Sequence, residues 1–273
     1  MTDQYAVIGN PIVQSKSPLI HTAFAQVTGQ DLEYTKLLAP VDGFAAAVDA
    51  FRKAGGKGMN VTAPFKLDAF AYATELSEGA KLAGAVNAMK FEGDRVLAQN
   101  FDGVGLVRDV VHNLGCPLAG KRVLVLGAGG ATRGALLPFL AEKPAELVIA
   151  NRTVGKATEL AAIGAAHGNV LGCSYEALAG QVFDAVFNAT SASLRAEMPP
   201  VPASVFGPNC LAYELAYGKG LTPFLQAAKA AGVTRLADGV GMLAEQAAEA
   251  FAWWRGVRPD TRAVIEQLTV PLV

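Results

Sequence analysis

Short apolar runs alternate with segments of helical character along the chain, and this alternation predicts an α/β fold. Tyr5–Gly9, Val123–Leu126 and Leu147–Ala150 lack helical spacing and have the length of strands. Unbroken apolar runs are typical of parallel strands that are covered on both faces. Further strands are predicted at Glu33–Leu38, through Met59 and Val61, and at Arg95–Gln99, Val182–Asn188, Cys210–Leu215 and Thr234–Ala237. Helices are predicted at Gly43–Ala54, Glu75–Leu82, Ala131–Glu142, Thr222–Ala231 and Leu243–Trp254.

The stretch from Lys121 to Thr153 has the order strand, glycine-rich turn, helix, strand, which is one β-α-β unit of a dinucleotide-binding fold. Glycines at such a turn let the backbone approach a ligand, and the helix N-terminus offers unpaired N–H groups to a phosphate. Thr132 stands where G-x-G-x-x-G has its third glycine. From the glycines alone, a tight structural turn therefore remains an alternative.

The end of the second strand in this unit favours NADP over NAD. NAD-binding units usually place Asp or Glu there, to accept a hydrogen bond from the ribose 2′-hydroxyl. Here Asn151 is followed by Arg152, and Lys156 comes one helical turn later. A carboxylate would repel a 2′-phosphate, whereas a guanidinium can pair with it and stack on adenine.

Composition excludes several classes of protein. The chain has 273 residues, of which 52% are hydrophobic and 17% charged, so a large core is available. A net charge of −1 without a basic run makes nucleic acid an improbable partner. No apolar stretch approaches the roughly 20 residues of a membrane span, and the N-terminus does not resemble a signal peptide. The three cysteines are scattered, which indicates a reducing compartment and no metal site. We expect a cytoplasmic protein without a membrane partner.

Polar residues near predicted strand ends are candidates for ligand chemistry. Ser15 and Ser17 flank a lysine before a helix and suit a carboxylate, but Ser17 could instead act only as the N-cap, with Pro18 at the first helical position. Lys66 begins a helix, where a cation is mildly unfavourable, so the position indicates another purpose than solvation. Asp102 could simply cap the helix that starts near Val104.

Taken together, these segments resemble the shikimate dehydrogenase family, NADP-linked enzymes of aromatic amino-acid biosynthesis. The blocks that carry the resemblance keep their order from residue 15 to residue 246. They are Ser15-Lys16-Ser17-Pro18, Asn60–Lys66, Gly84–Asn87, Phe101–Gly103, Gly127–Ala131, Asn151–Thr153, Asn188–Ser191, Tyr217-Gly218 and Gly239–Gln246.

The resemblance implies two domains and a reaction. An N-terminal α/β substrate-binding catalytic domain would comprise residues 1–103 and 239–273, with the C-terminal helices returning to it. A Rossmann-like NADP-binding domain would comprise residues 104–238. The implied activity is the reversible NADPH-dependent reduction of 3-dehydroshikimate to shikimate in the pathway to chorismate. Partners would be small molecules, and the protein would be a monomer or homodimer.

The resemblance also implies roles for residues. Lys66 and Asp102 would be the acid/base pair. Substrate would bind at Ser15, Ser17, Asn60, Thr62, Lys66, Asn87, Asp102, Tyr217 and Gln246. NADP would bind at Glu78, Gly127, Ala128, Gly129, Gly130, Ala131, Asn151, Arg152, Thr153, Lys156, Thr190, Leu215, Gly239 and Met242.

The chain departs from the family pattern at three of the positions considered. Ser193 stands where glycine is usual, Glu214 where aspartate is more usual, and Lys156 where arginine is common. Other functions stay open. Within the enzyme class they are a quinate/shikimate dehydrogenase of broader specificity and an NAD-preferring enzyme, against which Arg152 argues. Outside it they are a non-catalytic NADP-binding sensor on the same scaffold and a binding module for an unrelated small acid.

Overall fold

The computed structural model describes residues 2–272 and divides them into two compact units. The first unit comprises residues 2–105 and 244–264, and the second comprises residues 106–243 and 265–272. Each unit contains one six-stranded sheet, and the predicted α/β class is confirmed. The sequence-based division grouped residues 265–273 with the N-terminal part, whereas the described residues from 265 onward cluster with the second unit.

The sheet of the first unit is mixed. Its strands are β1 (Asp3–Gly9), β2 (Leu32–Leu38), β3 (Gly56–Val61), β4 (Glu75–Leu76), β5 (Ala88–Glu92) and β6 (Arg95–Gln99). They lie in the order β2-β1-β3-β5-β6-β4. β1 is parallel to β2 and β3, while β5 is antiparallel to β3 and β6. The helices of this part are α1 (Ser17–Thr28), α2 (Phe44–Lys53), α3 (Lys66–Tyr72) and α4 (Glu78–Ala83).

β1 explains why an apolar run without helical spacing predicts a central strand. Successive side chains of a strand point to opposite faces of the sheet. Tyr5 and Val7 pack into a cluster with Trp254, and Ala6 and Ile8 pack into a different cluster on the other face. Because both faces are covered, every position of this run is apolar.

The sheet of the second unit is parallel throughout. Its strands are β7 (Arg122–Leu126), β8 (Glu146–Ala150), β9 (Val170–Cys173), β10 (Phe183–Asn188), β11 (Phe206–Glu214) and β12 (Arg235–Asp238). The order is β12-β11-β10-β7-β8-β9, so the direction of winding reverses between β7 and β10. Ligands of open α/β sheets bind at the carboxyl ends of strands beside such a reversal. The helices α6 (Gly130–Ala141), α7 (Val154–Gly164) and α8 (Pro223–Ala230) connect these strands.

Three helices cross the boundary between the units along the chain: α5 (Asp102–Arg108), α9 (Val240–Arg255) and α10 (Arg262–Leu268). A π-helical turn, Asp109–Asn113, continues directly from α5. None of the helices within residues 2–272 combines the length and apolar character that a bilayer-spanning segment requires.

The predicted helix at Glu75–Leu82 is wrong in its first part. Glu75 and Leu76 form β4, which pairs with β6 in parallel. The helix begins only at Glu78, because the Ser77 hydroxyl accepts a hydrogen bond from the Ala80 N–H and so caps it. A strand of two residues is too short to show a periodic pattern of apolar side chains, so only its pairing with β6 defines it. The strands β5 and β9 were not predicted either.

Candidate active site

Lys66 and Asp102 form an ion pair in the first unit. Lys66 is the first residue of α3, and Asp102 is the first residue of α5. The Lys66 Nζ donates to Asp102 Oδ2 over 2.5 Å, and the two side chains are 35% and 20% exposed. An amine that is held by a carboxylate and still reaches solvent can give or take a proton at a defined point.

Asn87 fixes the second oxygen of this carboxylate. Its Nδ2 donates to Asp102 Oδ1 over 2.8 Å and to Gln246 Oε1 over 3.3 Å. Its own Oδ1 accepts from the Phe101 N–H at 2.9 Å. The amide therefore cannot rotate without losing a backbone contact, and Asp102 is oriented at both oxygens.

Asp102 does not act only as a helix cap. The Asp102 N–H donates to Asn100 Oδ1 over 3.1 Å, so Asn100 supplies the side-chain acceptor at this helix start. The Asp102 carboxylate is instead engaged by Lys66 and Asn87.

Asn60 and Thr62 lie at the carboxyl end of β3. Asn60 is buried, and its Nδ2 donates to the Asn87 carbonyl oxygen over 3.2 Å. Its Oδ1 accepts from the Tyr34 hydroxyl at 2.7 Å. Thr62 follows the strand and is half-buried. Tyr34 was not predicted as a site residue, since an aromatic residue within a strand is ordinarily assigned to the core.

The two serines meet at the start of α1. The Ser15 and Ser17 Oγ atoms are 3.3 Å apart, and the Ser17 N–H donates to Ser15 Oγ. The prediction of Ser17 as the N-cap is wrong. The Lys16 carbonyl accepts the first helical hydrogen bond, from the Ile20 N–H, so Lys16 is the N-cap and has no side-chain cap. The Ser17 hydroxyl is consequently not used to cap the helix.

His21 lies on the same helix, inside an aromatic cluster. Its ring stacks on Tyr34 with a centroid distance of 4.2 Å and is 5.4 Å from the ring of Trp254. Among the described residues, neither ring nitrogen has a hydrogen-bond partner. Burial lowers the His21 pKa to about 3, against a smaller opposing effect of Asn60, and burial raises the Tyr34 pKa well above 10. Tyr34 is therefore a permanent donor to Asn60.

The glycine-rich turn of the second unit has the geometry of a phosphate site. Gly127 has φ +101°, and a Cβ there would lie 3.1 Å from Thr190 Cγ2, so only glycine fits. A Cβ on Gly129 or Gly130 would meet no atom within 4 Å, and α6 has no side-chain N-cap. The turn thus leaves open space beside its glycines, at the N-terminus of a helix without a side-chain cap. Thr132, at the place of the third glycine, is buried and donates to the Gly127 carbonyl over 2.7 Å.

A cavity of about 480 Å³ adjoins this turn. Its described lining includes Gly127, Ala128, Gly129, Asn151, Arg152, Thr153, Lys156 and Thr190. The Ala128 N–H donates to Asn151 Oδ1 over 3.3 Å, which joins the turn to the end of β8. Within the part of the chain that the structure describes, no carboxylate lies within 4.0 Å of the Arg152 or Lys156 cations. Two cations beside a glycine turn suit a dinucleotide that carries an additional phosphate.

Other predicted cofactor residues do not line this cavity. Gly130 and Ala131 begin α6, Leu215 follows β11, and Gly239 and Met242 lie at the start of α9. A Cβ on Gly239 would come within 2.2 Å of the Leu215 carbonyl oxygen, so close packing requires this glycine. The Met242 N–H donates to the Tyr213 hydroxyl over 3.3 Å.

Two predicted residues lie in a different unit from the rest of their set. Tyr217, predicted for substrate, belongs to the second unit and is 44% exposed. Glu78, predicted for cofactor, belongs to the first unit, where its 86% exposed side chain pairs with Lys81 at 2.8 Å. Their roles stay predictions.

Arg195 is a cavity residue that was not predicted. It lines the cavity of the second unit, donates to Ser191 Oγ over 3.3 Å and pairs with Glu197 at 2.9 Å. A cation four residues after Asn188–Ser191 is the sequence signal that could have indicated it.

The family models and the curated relatives that match this chain are those of shikimate dehydrogenase. Models described as the shikimate dehydrogenase substrate binding domain, shikimate / quinate 5-dehydrogenase and the shikimate 5′-dehydrogenase C-terminal domain match residues 7–89, 109–196 and 239–269. A relative from Nitrosospira multiformis, named shikimate dehydrogenase (NADP(+)), is 58% identical over 268 residues, covering 98% of each chain.

Two solved structures are also similar to this chain. An Ael1 enzyme from Pseudomonas putida is 63% identical, with a TM-score of 0.97 and complete coverage of both chains. The shikimate 5-dehydrogenase of Thermus thermophilus, solved with NADP(H) and shikimate, is 30% identical, with a TM-score of 0.84 and coverage of 97% of this chain and 98% of its own.

Proposed function

Because this chain belongs to the shikimate dehydrogenase family, we propose that it catalyses the reversible NADPH-dependent reduction of 3-dehydroshikimate to shikimate. The observation that carries the proposal is the cluster around Asp102. An amine, a carboxylate and two amides converge there in the first unit, from α3, α5, the residue before β5 and α9. A hydroxyl–ketone interconversion needs such a proton donor and acceptor.

NADP is proposed as the cofactor of the second unit. Gly127 and the N-terminus of α6, which has no side-chain cap, fit a pyrophosphate, and Arg152 and Lys156 fit a 2′-phosphate. NADPH, when bound, supplies hydride to the ketone carbon. The residues of this chain hold the cofactor and add no redox chemistry of their own.

Lys66 is proposed to move the proton. In the direction of reduction, the charged amine stabilises the forming alkoxide and donates a proton to it from Nζ. In the direction of oxidation, neutral Lys66 accepts the proton of the substrate hydroxyl. Asp102 holds the amine through Oδ2 while Asn87 holds Oδ1, so proton transfer occurs at a fixed position.

The remaining polar groups of the first unit are proposed to orient the substrate. Ser15 and Ser17 offer two hydroxyls, 3.3 Å apart, to a carboxylate. Asn60, Thr62 and Gln246 would face the ring hydroxyls. Tyr34 keeps Asn60 in place. Its hydroxyl donates to Asn60 Oδ1 while Asn60 Nδ2 donates to the Asn87 carbonyl, so the amide cannot rotate without losing both hydrogen bonds.

A spectrophotometric assay tests this proposal. Purified protein with NADP⁺ and shikimate should raise the near-ultraviolet absorbance of NADPH, and NAD⁺ should replace NADP⁺ poorly. Absence of turnover with shikimate would contradict the proposal. NADPH binding without turnover would support the sensor function instead, although such a protein has no need for the Lys66–Asp102 pair.

Broader specificity is the second candidate, because the family model that matches residues 109–196 covers both shikimate and quinate enzymes. Quinate in place of shikimate in the same assay separates the two. Comparable kcat/KM for both substrates would establish the broader enzyme.

A further inference from the structure

Ser193 and Glu214 are in direct contact in the second unit. The Ser193 hydroxyl donates a hydrogen bond to Glu214 Oε2, across 21 positions of sequence. Ser193 lies in a 3₁₀ turn, Ala192–Arg195, and Glu214 is the last residue of β11. The positive φ of this loop falls on Ala196, at 54°, and not on Ser193, so a serine is accommodated without strain.

The Glu214 carboxylate is fully buried and satisfied by four donors. Besides Ser193, it accepts from Asn188 Nδ2 at 2.9 Å, from Thr222 Oγ1 at 3.1 Å and from the Ala216 N–H at 3.3 Å. A buried carboxylate that loses one of its donors loses part of the hydrogen bonding that compensates its burial. An aspartate would end about 1.5 Å shorter, one carbon–carbon bond, and would withdraw its oxygens from Ser193.

Asn188 connects this carboxylate to the wall of the cavity. Its Nδ2 donates to Glu214 and to Ser193 Oγ, the latter over 3.1 Å. Its Oδ1 accepts from the Thr190 hydroxyl at 2.7 Å and from the Thr190 N–H at 3.2 Å. The Thr190 Oγ1 in turn accepts from the Ala192 N–H at 3.2 Å, and both of these residues line the cavity.

We propose that Ser193 and Glu214 act as one coupled pair of positioning residues, which fixes the loop of residues 189–198 in the shape that binds NADP(H). The inference rests on the proposed function, since it takes NADP(H) as the ligand of the cavity. Neither residue is among those that line the cavity. Both act through Asn188 on Thr190, and a change in either alone removes the hydrogen bond that joins them.

The test compares Ser193→Gly, Glu214→Asp, the double variant and a control, Thr158→Ala. Thr158 is exposed in the same unit, and its hydroxyl bonds to carbonyls of its own helix. Amide hydrogen exchange of the ligand-free protein measures directly how firmly the loop is held. Each single variant should speed exchange at the amides of residues 190–192 by about 10-fold or more, and the control should not.

A fluorescence titration with NADPH measures the effect of each variant on cofactor binding. Each single variant should raise the NADPH Kd by about 5- to 20-fold and the KM for NADP⁺ by a similar factor, with a smaller change in kcat. Because the two residues share a hydrogen bond, the effect of the double variant should be less than the product of the two single effects.

Three results would contradict the proposal that Ser193 and Glu214 act as a coupled pair. One is unchanged loop exchange in both single variants, and another is multiplication of their effects in the double variant. The third is a lowered Tm with faster exchange throughout the unit and an unchanged NADPH Kd, which describes a merely structural role. If the unmodified protein binds no NADPH, the proposed function fails, and loop exchange alone then shows whether the pair holds the loop.

Discussion

His21 should make the first unit sensitive to acid. The side chain is fully buried, and neither ring nitrogen has a hydrogen-bond partner among the described residues. Burial lowers its folded-state pKa from 6.5 to about 3. Below about pH 6.5 the unfolded chain therefore binds a proton at His21, whereas the folded protein does not. The free energy of unfolding falls as the pH falls from about 6.5 toward about 3.

The magnitude follows from the pKa difference. One pKa unit corresponds to about 1.4 kcal/mol, so the full difference of roughly 3.5 corresponds to at most about 5 kcal/mol. Between pH 7 and pH 4.5 only about two units of that window are crossed, which gives a loss of about 2 to 3 kcal/mol. This is a large fraction of the roughly 5 to 15 kcal/mol that is typical of folded domains.

Urea unfolding at pH 7 and pH 4.5, followed by tryptophan fluorescence, measures this loss. Trp254 is a suitable reporter because its ring lies 5.4 Å from that of His21. His21→Phe removes the titrating group and keeps an aromatic ring against Tyr34. The loss between the two pH values should shrink by about 2 to 3 kcal/mol in this variant.

His167→Gln is the matched control, because it removes an exposed histidine that lies in the second unit, outside the aromatic cluster of His21. Carboxylates contribute to acid unfolding in every variant, so the difference between variants is the decisive quantity. A parallel fall in stability for the unmodified protein and His21→Phe would refute the reasoning.

Three further outcomes follow from the two candidate sites. Lys66→Ala should lower kcat by about 10²- to 10⁴-fold with little change in shikimate KM, and near-normal turnover would remove Lys66 from the proton-transfer role. Arg152→Ala should lower kcat/KM for NADP⁺ by about 10- to 100-fold and leave that for NAD⁺ nearly unchanged; an equal fall for both cofactors would mean that Arg152 does not contact the 2′-phosphate. Tyr34→Phe leaves the buried Asn60 Oδ1 without its donor, so shikimate KM should rise by about 10-fold with a smaller change in kcat, and unchanged kinetics would show that Asn60 needs no such support.

Local patterns in the sequence were enough for much of the fold. Val123–Leu126 and Leu147–Ala150 were predicted as neighbouring parallel strands, and they are β7 and β8 to within one residue. The glycine turn after β7 and the cations after β8 depend on residues a few positions apart, so their chemistry is visible in the chain itself. The hydrogen bond of Thr132 to the Gly127 carbonyl and the pairing of the short strand β4 with β6 are the exceptions, because neither contact leaves a periodic pattern in the sequence.

Contacts between residues that are distant in sequence were decided only by the tertiary structure. Lys66 and Asp102 are separated by 36 positions and meet at one oxygen, and Asn87 reaches Gln246 across 159 positions. Ser193 and Glu214 are 21 positions apart in the sequence, yet they share a hydrogen bond. A local pattern determines which face of a strand or helix is buried, but it carries no information about which distant side chain will lie opposite. That depends on strand order and register, which the packing of the whole sheet establishes.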